Sequence, residues 1–230
     1  MKIKTHPIIY EPTTAITDFV IFFMGCYYSW VMMNIPSSMF HKIWAICFIT
    51  LSLGALLGGI SHGFGPMLSK IAKMIIWRLT LLFIGLTALV LLLSVLMIIT
   101  DGEINIRILP FFVILFGYYN YKVYKNDSFL IAVKFYLPFI VISLACFLYA
   151  FIYKGYVGAL FISVGLSVTL FASLIQLSKI VLHRHFNHND LFHIVQMIGM
   201  YLMFEGGQEI PRIQINQINF NSFLNLSNLT

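Results

Sequence analysis

Long apolar runs separated by short polar stretches recur from one end of the chain to the other. Their length suits helices that cross a bilayer, each of which needs roughly 20 mainly apolar residues. Spans are predicted at Thr14–Asn34, Ile43–Phe64, Ile71–Ile99, Ile108–Val123, Phe129–Tyr153, Val157–Leu182 and Asp190–Phe204, the fourth being short. Pro36, the Gly65-Pro66 pair, Asp101-Gly102, Asn126-Asp127 and the polar stretch His183–Asp190 break the apolar pattern between them. The pattern therefore predicts an all-α polytopic membrane protein, a seven-helix bundle over residues 1–206 without internal repeats. A polar tail over residues 207–230, rich in Asn, Gln and Ile, is too poor in apolar length to span. Its sequons at Asn225 and Asn228 matter only in a eukaryotic secretory pathway.

Composition strengthens that reading. Of 230 residues, 60% are hydrophobic and only 10% charged, more apolar surface than one water-soluble core can hide. Cys26, Cys47 and Cys146 all fall inside apolar runs and read as small buried hydrophobes. Met1–Tyr10 has lysines but no apolar stretch with a small-residue cleavage site, so no removable signal peptide is apparent and the first helix is expected to direct insertion.

The excess of 14 Lys+Arg over 8 Asp+Glu sits at the ends of apolar runs, which points to membrane topology and away from nucleic acid. With seven spans, the side of the N-terminus holds Lys2, Lys4, Lys70, Lys73, Arg78, Lys122, Lys125, Lys134, Lys179 and Arg184. The other side holds Lys42, Arg107, Lys154 and Arg212. Basic residues favour the cytoplasmic side, so the expected topology is N-terminus cytoplasmic and C-terminus outside. Arg78 and Lys134, slightly inside their spans, read as snorkelling anchors.

An ionisable side chain within a span is costly, and each one raises a functional question. Asp18 lies about a turn into the first span, His62 near the end of the second and His193 about a turn into the seventh, which places all three at the cytoplasmic end. Gly54, Ala55, Gly58 and Gly59 share the helical stripe of His62 and should turn it into the bundle. Thr14, Phe22, Gly25 and Ser29 share that of Asp18, and Asn189, Asp190 and Gln196 lie on or beside that of His193. Imidazoles on facing helices are zinc ligands, and zinc would turn a bound water into a hydroxide nucleophile. The candidate metal ligands are His62, His193, His188 and Asn189, with Asp18 and Asp190 as proton shuttles or orienting groups. Simpler roles stand beside these. Asn187 and Asp190 fit a capping box, Asp18 suits the positive end of a helix dipole, and His183, His185 and His188 fit a solvated interfacial loop. Arg184 suits a topology charge or a phosphate head group. Haem between His62 and His193 is a further option. A retinal Schiff base is disfavoured because the seventh span has no lysine.

His62 within GGISHGFG and His193 within FNHNDLFHIVQ, on a seven-helix frame, resemble the CREST superfamily of alkaline ceramidases, progestin and adipoQ receptors and haemolysin-III-like proteins. The resemblance implies a zinc-dependent, membrane-embedded hydrolase of a lipid amide or ester, such as a ceramide-like amide, with substrate entering laterally from the membrane lipids. In that superfamily zinc is held by one histidine on helix 2 and two in an HxxxH motif on helix 7, with a serine one turn before the first histidine and an aspartate on helix 3. Here the first HxxxH position is Asn189, the residue four before His62 is Gly58, and the third span has no aspartate. The alternative is a non-enzymatic receptor-like bundle, or a proton or small-solute carrier, in which Asp18, His62 and His193 form a hydrogen-bonded cluster.

Overall fold

A computed structural model describes residues 9–102, 106–179, 183 and 186–212. Lys2, Lys4, Arg184, His185, Asn225 and Asn228 lie outside the described residues, as do residues 213–230 of the tail. Every predicted span is a helix: α1 Pro12–Met33, α2 Met39–Phe64, α3 Lys70–Ile99, α4 Leu109–Lys125, α5 Phe129–Lys154, α6 Val157–Ser178 and α7 His188–Gln208. No sheet is present among the described residues, where the one bridge joins His183 to Phe186. The chain is thus an all-α, multi-pass membrane protein.

Local chemistry sets the helix ends. Pro12 opens α1 with a residue whose missing N–H costs nothing at that position. Ser69 accepts a hydrogen bond from the Ala72 amide at the start of α3. At the far end of α3, Lys154 Nζ donates to the carbonyls of Ile98 and Ile99 and reaches Asp101 at 2.8 Å, which satisfies carbonyls the helix itself leaves unpaired. Gly155, at φ 70°, gives α5 the left-handed stop that lets the chain reverse into α6.

Five helices are long and apolar enough to cross a membrane by length and composition alone: α1, α2 extended by its terminal 3₁₀ turn, α3, α5 and α6. α4 has 17 residues, and α7 opens with a polar turn. Packing explains how these two fit. Helices α1, α2, α3, α5, α6 and α7 touch in that order and α7 returns to α1, forming a closed ring; α4 lies outside it, mainly against α3. Tyr119 holds α4 in place: its ring lies against Gly85 and its hydroxyl donates to the Leu81 carbonyl at 2.7 Å. Arg78 reaches from α3 over the Tyr124 ring and donates to the Tyr124 carbonyl.

The α6–α7 seam is the closest backbone approach in the ring. Gly158 faces Gly206 and Gly165 faces Gly199, and a Cβ at Gly165 would stand 2.7 Å from the Gly199 carbonyl oxygen. Small residues of this kind let membrane helices pack by direct backbone contact. Trp44 on α2 crosses the same end of the ring, donating from its indole to the Met203 carbonyl at 3.2 Å.

Gly199→Val should therefore force α6 and α7 apart and cost about 1–3 kcal/mol, the usual range for overpacking. Gly117→Ala on α4, where an added Cβ meets nothing within 4 Å, should cost nothing. Thermal unfolding of the detergent-solubilised variants checks both, and equal midpoints would refute the seam.

Candidate functional site

At the end of the ring where α1 and α7 begin and α2 ends, four polar contacts join these elements. The Thr14 hydroxyl donates to Asp190 Oδ1 at 2.8 Å. Thr17 Oγ1 lies 2.8 Å from His193 Nδ1, and His193 Nε2 lies 3.4 Å from Asp18 Oδ1. His62 Nδ1 lies 2.8 Å from Glu11 Oε2 just outside α1. The Thr17 hydroxyl also lies 2.9 Å from the Thr14 carbonyl, so its single proton serves either that carbonyl or His193 Nδ1. Asp18, His193 and Asp190 are all buried.

The local sequence accounts for each placement. Asn187 and Asp190 form a capping box: the Asn187 side chain accepts from the Asn189 amide, and Asp190 Oδ2 accepts from the Asn187 amide at 2.7 Å. Asp190 therefore serves the cap with one oxygen and Thr14 with the other. The glycine stripe of α2 makes room for α1, since the Asp18 carboxyl lies over Gly58 and Phe19 over Gly59. The sequence thus brings Asp18, His62 and His193 to one end, and His188 and Asn189, in the first turn of α7, line the same cavity. Sequence reasoning missed Glu11 and Thr17. Glu11, Thr14 and Asp18 follow the 3-and-4 spacing of a single helical face, and that signal points to Glu11 once the face of Asp18 is recognised.

The expected zinc site is overturned. Among the described residues, no group of three or more His, Cys, Asp or Glu is arranged to hold a metal ion. His193 lies beside Thr17 and Asp18, His62 holds Glu11 through Nδ1, and Asp190 is taken up by Thr14 and the helix cap, so the side chains pair off between helices and do not gather three donors at one point. His62, His193, His188 and Asn189 therefore do not make a metal centre, and the zinc-dependent lipid hydrolase built on it falls with it.

The ring encloses a cavity of about 650 Å³. Along α2 its wall runs from Trp44 through Phe48, Leu51, Ala55 and Gly58 to His62, a rise of about 27 Å at 1.5 Å per residue. Most of the wall is apolar, and polar groups gather at the His62 end, where Asp18, His193, His188 and Asn189 face it. Asp18 Oδ2 is buried there without a hydrogen-bond partner among the described residues. A second cavity of about 500 Å³ lies beyond His62, against Tyr10, Glu11, Ser61 and Lys73.

Glu11 lies outside the helices. Its hydrogen bond from His62 holds the carboxyl below the ordinary value of 4.5, with further attraction from His62, His188 and Lys73 outweighing partial burial. A carboxylate with a lowered pKa stabilises the fold above its unfolded-state value and loses that contribution as pH falls through its folded-state value. Acidification below 4.5 should therefore erode the stability difference between the native chain and Glu11→Gln. Thermal midpoints of the two proteins across that range test this, and a difference independent of pH would refute it.

No curated protein and no solved structure matches the chain. The model of a family of unknown function, DUF6962, matches residues 13–212, which takes in nearly all of the helical ring but not Tyr10 and Glu11 of the outer cavity, and the chain belongs to that family.

Proposed function

We propose that the chain is a non-enzymatic, receptor-like membrane protein that takes an amphiphilic small molecule from the surrounding lipids into its helical ring, with its N-terminus cytoplasmic and its C-terminus outside. The observation that carries this reading is Asp18 Oδ2: a buried oxygen without a hydrogen-bond partner among the described residues, at the polar end of a long apolar cavity. A buried acceptor left unpaired costs about 1–3 kcal/mol, which a ligand offering one hydroxyl or amide N–H would recover. Ligand cavities combine apolar walls with a few convergent polar groups, and 650 Å³ lies within their usual size.

The CREST resemblance enters here as architecture alone: seven helices, His62 on α2 and His193 on α7. Orientation is supported by the described basic residues. Lys70, Lys73, Arg78, Lys122, Lys125, Lys134 and Lys179 lie on the side of the N-terminus, and Lys42, Arg107, Lys154 and Arg212 on the other. Carriage of a proton or small solute is the second reading, favoured by the Glu11–His62 and Asp18–His193–Thr17 ties. The apolar wall toward Trp44 offers such a proton few stepping points.

A fluorescent, chain-labelled fatty acid should bind the detergent-solubilised protein saturably. Ala88→Phe and Ala55→Phe, each placing a ring in the cavity, should each weaken that binding at least about tenfold, a loss of 1.4 kcal/mol. Absent saturable binding, or binding that both variants leave untouched, would sink the receptor reading. Proton flux in liposomes that requires Asp18 and His193 but no amphiphile would put the carrier in its place.

For the topology, a single cysteine introduced at Lys154 should react with a membrane-impermeant maleimide in intact cells, and one at Lys122 only after permeabilisation. The reverse pattern would invert the proposed orientation.

A further inference from the structure

His62 and Trp77 line both the inner cavity and the outer one. Their rings meet edge to face, 6.2 Å between centroids and at 87°, and Trp77 is fixed by donating to the Asp127 carbonyl at 2.7 Å. The two residues thus form a partition with a mainly apolar space on one side and a charged one on the other.

The outer space holds opposite charges on separate elements. Glu11 stands just before α1, and Lys73 sits in the first turn of α3 with its stem packed beside Gly65. Glu11 Oε2 is taken by His62, while Oε1 carries no hydrogen bond to a described residue. Lys73 Nζ makes no hydrogen bond or ion pair within the described residues either. Ser61 and Tyr10 complete a polar wall. A lone anionic ligand would meet Glu11, and a lone cationic one Lys73. A ligand carrying both charges offers each its complement.

From this juxtaposition we infer that the outer cavity is a head-group site for a zwitterion, an ammonium facing Glu11 and a phosphate facing Lys73, on an amphiphile whose single chain lies in the inner cavity. The chemistry read along this path is a chain against the apolar wall, a hydrogen-bond donor at Asp18, then an anion and a cation beyond His62. A zwitterionic lysophospholipid, with its free hydroxyl between chain and head, carries all of those groups. The chain placement rests on the receptor reading above, whereas the zwitterion site rests on the outer cavity itself. The same site chemistry would accept a free zwitterion such as phosphocholine.

The full-length protein in non-ionic detergent can be probed by displacement of the labelled fatty acid and by calorimetry with soluble phosphocholine. Lysophosphatidylcholine should displace the label at about tenfold lower concentration than an unlabelled fatty acid or an alkyltrimethylammonium of equal chain length. Glu11→Gln and Lys73→Gln should each abolish that advantage. Lys73 is exposed on a helix surface, so its variant tests the site without threatening the fold. Equal displacement by all three amphiphiles, unchanged by either variant, overturns the head-group site and leaves the cavity reading standing. Phosphocholine binding that depends on Glu11 and Lys73, with no amphiphile bound, keeps the zwitterion site and removes the chain from it. Binding of neither probe overturns both.

Discussion

Closure of the helical ring depends on the polar junction between α1 and α7. α7 begins with His188, Asn189, Asp190 and His193, a face that lipid would penalise by several kcal/mol for each unsatisfied group. Thr14 and Thr17 give that face partners: a hydroxyl for Asp190, and a hydroxyl beside His193. α7 is thereby held as the last wall of the ring, where its polar side chains face neighbouring helices. Without those threonines the helix would have no favourable place, neither against lipid nor against an apolar neighbour. Asp190 couples this junction to the start of α7 itself, because the carboxylate that meets Thr14 also caps the helix.

A closed ring of six helices has a geometric consequence. Helices of about 10 Å diameter arranged in a ring leave a central space, and here the glycines of α2, α6 and α7 bring neighbouring walls together without filling the middle. Large side chains close the end near Trp44, where Phe40, Phe147 and Met32 are fully buried around it. Toward His62 the facing positions are Ala55, Gly58 and polar groups, so the interior stays open at that end. α4 adds nothing to this wall. Its role is to cover α3 from outside through Tyr119 and Val123.

Much of this was legible in the sequence because lipid imposes length and polarity constraints that show in a single chain. The helices follow the apolar runs with shifts at their ends: α2 begins at Met39, four residues before the apolar run at Ile43, and the Asn187 cap starts α7 at His188. The glycine stripe placed His62 against the bundle interior, and the capping box of Asn187 and Asp190 was readable from spacing alone. The zinc site failed for a reason that spacing does not carry. A metal needs three or more donors brought to one point, and among the described residues the helices bring no such group together. Glu11 sits outside the apolar run and reads as a solvated end, although it faces the same way as Asp18.

The position of His62 ties these strands together. It ends α2, pairs with a carboxylate outside the membrane segments, and stands against Trp77 where a mainly apolar cavity gives way to a charged one. A metal at this point would need a group of three donors, which the described residues do not form. A histidine paired with Glu11 instead fixes the rim between two environments and leaves Asp18 Oδ2 as the unmatched acceptor just inside it. That sequence of environments, from charge through imidazole to a lone acceptor and then an apolar wall, is the arrangement on which the proposed binding role rests.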